Sequence, residues 1–147
     1  MSLLDDLYQT VILEHNRRPH NFGVLEPHDV AQEGVNPSCG DELTLYLRLA
    51  GDVIEDAGFV GEGCAISRAS ASLMTDALAG LDRHAASALA ASFKEMIRTG
   101  EVGSGLGDLA ALRGVSKLHA RVKCATLPWV TLQQALDARA AQQQGEG

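Results

Sequence analysis

Asn36-Pro37-Ser38-Cys39-Gly40-Asp41-Glu42-Leu43-Thr44-Leu45-Tyr46-Leu47-Arg48-Leu49 changes character part-way along. Its first six residues are a loop by composition: proline fixes φ and removes a donor, glycine opens backbone angles closed to other residues, and Asn and Asp favour turns. From Leu43 onward leucines alternate with Thr44, Tyr46 and Arg48, the period of two that marks a half-buried strand. Gly51-Asp52 supplies a turn and Val53 to Val60 returns, so the spacing predicts an antiparallel hairpin. Because the two strands are similar in length, the loop holding Cys39 and Asp41 comes back beside Gly61-Glu62-Gly63-Cys64.

Working outward, Leu4, Leu7, Tyr8, Val11 and Ile12 recur at helical spacing behind a Ser2 cap, which predicts a helix from Ser2 to about Asn16. A short strand is expected around Asp29 to Gly34. Beyond the hairpin, Ile66, Ala69, Leu73, Met74, Ala77 and Leu78 mark one face of a helix that starts at Cys64 and stops at Gly80. Asp82 caps another helix through Leu89, Phe93, Met96 and Ile97 to Thr99. Gly103, Gly105 and Gly107 lie in a connector, since the string lacks the Lys-Ser/Thr ending of a phosphate loop and follows a helix. Leu109 to Leu112 suits a helical turn, and Leu127, Val130, Leu132 and Leu136 indicate a last long helix with Pro128 near its first turn. The expected fold is α+β, a small antiparallel sheet of about three strands packed against several helices. Residues 1–141 form one domain in this reading, with a disordered tail over 142–147.

At 147 residues and 46% hydrophobic content the chain can bury a sizeable core. Its net charge of −7, with no clustered Lys and Arg, argues against nucleic acid and anionic membranes as partners. No apolar run reaches the roughly 20 residues that span a bilayer, and Met1-Ser2-Leu3-Leu4-Asp5-Asp6 does not read as a secretory leader. The expected compartment is the cytoplasm, where thiols stay reduced.

Those thiols are few and unusually placed. Cys39, Cys64 and Cys124 each stand beside Gly, Pro or a helix start, whereas most unpaired cysteines are small buried hydrophobes. A thiol at a helix N-terminus meets unpaired N–H groups and the positive end of the dipole, which favour thiolate. Three thiols and the Asp41 carboxylate make the four anionic ligands of a tetrahedral zinc site, although an Asp just before a strand is commonly a turn residue. His15, His20 and His28, at a helix end and in a polar loop, are read as solvated and left out of the site.

The Asn36 to Asp41 run, Gly61-Glu62-Gly63-Cys64-Ala65-Ile66-Ser67 and Arg121-Val122-Lys123-Cys124-Ala125-Thr126-Leu127 together resemble the SufU/IscU/NifU N-terminal family of iron–sulfur cluster assembly proteins. The resemblance runs from about Leu3 to Trp129. Within it the chain is more similar to the SufU branch: Lys123 precedes the third cysteine where scaffold-type chains carry His, and the stretch from Gly100 to Gly114 resembles an extra SufU segment. This resemblance implies a zinc-dependent acceptor of persulfide sulfur, with Cys39, Asp41, Cys64 and Cys124 holding Zn2+. It further implies that Cys39 is the reactive sulfur, released when a partner supplies a substitute ligand, and that Arg121 assists it. The implied partners are a SufS-type, PLP-dependent cysteine desulfurase and downstream iron–sulfur assembly proteins. Whether such a co-substrate counts as an enzyme, a sulfurtransferase, is left open. The alternative is a scaffold that builds and passes on a transient [2Fe–2S] cluster on the same ligands.

Overall fold

A computed structural model of the chain describes the backbone of residues 3–38 and 40–146 and the side chains of 10–38 and 40–140. The elements run α1 (Leu3–Arg17), β1 (Val30–Asn36), β2 (Asp41–Ala50), β3 (Val53–Glu62), α2 (Ala65–Leu78), α3 (Arg83–Thr99), a succession of 3₁₀ turns (Gly107–Lys117, then His119–Arg121) and α4 (Val122–Glu146). The three strands form an antiparallel meander in the order β1-β2-β3. The α+β architecture is therefore the one its periodicities predict.

The alternation in β2 sends Leu43, Leu45 and Leu47 into the core. Ile54, Ala57 and Phe59 of β3 join them there, and the helices cover this face of the sheet. β1 runs two residues beyond the expected Gly34, to Asn36. A Cβ at Gly34 would lie 1.9 Å from the Thr131 hydroxyl oxygen of α4, so the helix can approach β1 this closely only over a residue without a side chain. Under α2 and α3, Trp129 of α4 is fully buried and stacks on Phe93 with ring centroids 4.7 Å apart. Its indole N–H donates to Ser70 Oγ on α2 at 3.2 Å, and that hydroxyl donates to the Ala125 carbonyl at 2.6 Å. Asp82 caps α3 as expected, accepting from the Ala85 N–H at 2.7 Å.

Three boundaries differ from the sequence reading. The expected turn at Leu109 to Leu112 extends over residues 107–117, because Leu106, Leu109, Leu112 and Val115 all bury at the three-residue spacing of that helix. α4 begins at Val122, so Cys124 sits in its first turn and Pro128 falls in its interior. The stretch expected as a tail from Gln142 continues α4 through Glu146, where Gln142, Gln143 and Gln144 suit a helix and Gly145 does not. Among the described residues no helix is long and apolar enough to cross a membrane.

Candidate metal centre

Asp41 is the first residue of β2 and pairs with Asn36, the last of β1. The next residue, Glu42, pairs with Glu62 at the end of β3. The register thus carries Asp41 to the point where β3 hands over to α2. There its Oδ1 accepts the Cys64 N–H at 3.0 Å. Gly63 makes that approach possible, since a Cβ on it would stand 2.9 Å from Asp41 Oδ1 and 2.3 Å from Ser67 Oγ. The carboxylate is not the solvated turn residue that its position in the loop suggests: it is 1% exposed.

Asp41 Oδ2 is buried and has no hydrogen-bond partner among the described residues. An uncompensated carboxylate oxygen in a protein interior is costly enough that it signals a missing partner. Its neighbours say what kind. One carboxylate oxygen of Asp41 and the sulfurs of Cys64 and Cys124 all lie within 4.8 Å of one another. Cys64 is the N-cap of α2 and partly exposed, whereas Cys124 is fully buried. Neither is in a disulfide. Two helix starts therefore point their positive ends at one small volume, which favours anionic sulfur there. The tie from Ser70 to the Ala125 carbonyl, one residue past Cys124, fixes where α4 delivers its thiol.

Arg121 is exposed and ends the turn that leads into α4. A hydrogen bond to Cys124, then the charges of Cys64 and Cys124, hold its guanidinium above its ordinary value. The structure therefore places Arg121 at these two thiols. Cys39, the expected fourth ligand and reactive sulfur, lies outside the described residues, between β1 and β2.

The donor set fits a metal ion. Two thiols and a carboxylate oxygen, all within reach of one another, offer soft and hard anionic donors that zinc accepts in tetrahedral geometry. Of the residues singled out from sequence, the structure brings Asp41, Cys64 and Cys124 together. Sequence reasoning missed the buried tie through Ser70, whose only signal was a hydroxyl on the apolar face of a predicted helix.

The NifU-like N-terminal domain family matches residues 7–137. The zinc-dependent sulfurtransferase SufU of Bacillus subtilis (strain 168) is 47% identical over 135 residues, covering 90% of this chain and 91% of the relative. The iron–sulfur cluster assembly scaffold protein IscU of Streptococcus pyogenes serotype M1 is 42% identical over 138 residues, covering 92% and 86%. A crystal structure described only as that of a hypothetical protein superposes with a TM-score of 0.84 at 41% identity, over 90% of this chain and 98% of that one.

Proposed function

The chain belongs to the NifU-like N-terminal domain family, and from that membership we propose that it is a SufU-type sulfur carrier in iron–sulfur cluster assembly, receiving sulfane sulfur from a cysteine desulfurase. The observation that carries the zinc-dependent form of this reading is the orphaned Oδ2 of Asp41 beside Cys64 and Cys124. Together with Cys39, these residues would hold zinc, which when bound keeps the thiols deprotonated and the loop and two helix starts tied to one point.

The chain's own groups then divide the work. Asp41, Cys64 and Cys124 are buried or partly buried and anchored by strand register and helix packing, which suits holding rather than reacting. Cys39 is the proposed nucleophile. Its thiolate attacks the terminal sulfur of a persulfide on the desulfurase; a new S–S bond forms at Cys39, the donor's S–S bond breaks, and the donor cysteine leaves as thiolate. Arg121, exposed beside the thiols, stabilises negative charge on the sulfur before and after transfer. The desulfurase, of the SufS type and carrying its own PLP, is the proposed partner, and a reducing compartment such as the cytoplasm suits the exchange.

The scaffold reading uses the same thiols for a [2Fe–2S] cluster. The relative named a zinc-dependent sulfurtransferase and Lys123 before Cys124 favour zinc. Metal analysis of the purified protein tests the choice: about one zinc per chain at this centre and no visible colour is expected, whereas a brown protein containing iron would replace it with the scaffold reading. In a desulfurase assay, Cys39→Ala is expected to fold and to lose stimulated sulfide release. Arg121→Ala keeps its zinc and slows the release. Normal sulfur uptake by Cys39→Ala refutes the assigned role.

A further inference from the structure

The histidines read from sequence as solvated are not all so. His15, on the last turn of α1, is 6% exposed and its Nδ1 lies 2.7 Å from Ser72 Oγ on α2. The chain then turns back so that the backbone N–H of His20 donates to the same hydroxyl at 2.7 Å. The two imidazole rings lie 4.3 Å apart between centroids. His20 Nδ1 stands 2.5 Å from Asp76 Oδ2, also on α2. The other oxygen of Asp76 accepts from Asn21 Nδ2 at 3.0 Å, and the same amide donates to Thr75 Oγ1 at 3.0 Å. Asn21 itself holds a left-handed backbone, φ 58°, a conformation Asn tolerates better than most residues.

One ligand atom from each of His15, His20 and Asp76 lies within 4.8 Å of the other two. We propose that His15, His20 and Asp76 form a second metal site, for a divalent transition ion of the zinc class, at the corner where α1 and the loop after it meet α2. It is separate from the thiol centre: Asp76 is twelve residues along α2 from Cys64, about 18 Å at the helical rise.

Three features favour an ion over a mere hydrogen-bonded clasp. Two imidazole nitrogens and a carboxylate oxygen are the donors of three-ligand zinc sites that keep an open position, and imidazole disfavours calcium and magnesium. Outer partners are already in place: Ser72 fixes the His15 ring and Asn21 fixes the Asp76 carboxylate, as supporting groups around metal ligands do. Besides the ligand Asp76, the carboxylates of Asp108 and Glu14 act on His15, which makes the surroundings favourable to a cation. Occupied, the site would fasten α1 to the core through α2.

Equilibrium dialysis of the full chain against buffered free zinc, followed by metal analysis, is the test. Wild type is expected to bind about two zinc ions per chain, one at each centre. His20→Gln and Asp76→Asn, both at partly exposed positions, should each bind one fewer while keeping wild-type circular dichroism. Asn21→Gly, which tolerates the left-handed backbone, should keep the second equivalent with affinity weakened about 10- to 100-fold. Imidazole resonances of His15 and His20 followed by NMR during the titration should shift with that second equivalent. This readout is blind to the thiol centre, so failure of the zinc reading there would leave it intact. Unchanged stoichiometry in both ligand variants, or imidazole resonances that zinc does not move, overturns the proposal.

Discussion

Replacing Asp41 with asparagine separates the two tasks of its carboxylate. Oδ1 accepts the Cys64 N–H at 3.0 Å, and an amide oxygen in the same position keeps that bond. Oδ2, buried and without a hydrogen-bond partner among the described residues, becomes an NH2 group equally short of partners. In the metal-free chain two changes oppose each other. The orphaned amide costs about 1–3 kcal/mol, while removal of a buried charge returns an amount of the same order. Melting of metal-free Asp41→Asn is therefore expected within about 4 °C of wild type, taking roughly 1 kcal/mol of imbalance at ~2–4 °C per kcal/mol for a domain near this size.

With zinc present the two proteins part. An ion at a thousandfold excess over its Kd stabilises the folded chain by about 4 kcal/mol, or ~8–16 °C on the same scale. A neutral amide is a much poorer zinc donor than a carboxylate, so Asp41→Asn should keep less than half of that gain. Thermal melts followed by circular dichroism, with a chelator and then with buffered zinc, read both quantities. An equal zinc-induced shift in the two proteins would refute the ligand role and leave Asp41 as a structural acceptor for Cys64. A metal-free variant melting far below wild type would show that the protein itself satisfies the carboxylate.

Gly63→Ala should push the site apart, because the new Cβ would meet Ser67 Oγ at 2.3 Å and Asp41 Oδ1 at 2.9 Å. We expect about 1–3 kcal/mol of destabilisation from overpacking together with weaker zinc retention against a chelator; unchanged retention would mean that the close approach is dispensable. Ser70→Ala removes the tie between α2 and the Ala125 carbonyl and also strands the Trp129 N–H. The expected cost is about 1–3 kcal/mol, seen as a lower urea midpoint, with faster alkylation of Cys124 in the metal-free chain as α4 loosens. A midpoint matching wild type would show that water replaces the hydroxyl.

The sheet was readable because its signal is local and its strands equal: β2 and β3 are each ten residues long, so even with a register shift between Arg48 and Leu49 the hairpin delivers Asp41 to Cys64. Pro128 was expected near the first turn of α4 and falls in its interior, because tertiary packing of Cys124, Ala125 and Leu127 carries the helix past a proline that local propensity would put at its edge. The histidine cluster was missed because its members come from segments more than fifty residues apart, and no spacing rule joins them.

Yet both polar centres left the same trace in the pattern. Asp41 is in phase with Leu43, Leu45 and Leu47 on the buried face of β2. His15 falls four residues after Val11 and three after Ile12, on the stripe α1 turns inward. Each is a charged or titratable side chain where the periodicity calls for an apolar one. Burial there is enforced by the neighbours' hydrophobic contacts, not chosen by the residue, so the polar group must find partners inside or destabilise the fold. Following a hydrophobic period one step beyond either end of its apolar run, and asking what the polar residue found there could bond to, marks both corners from the sequence.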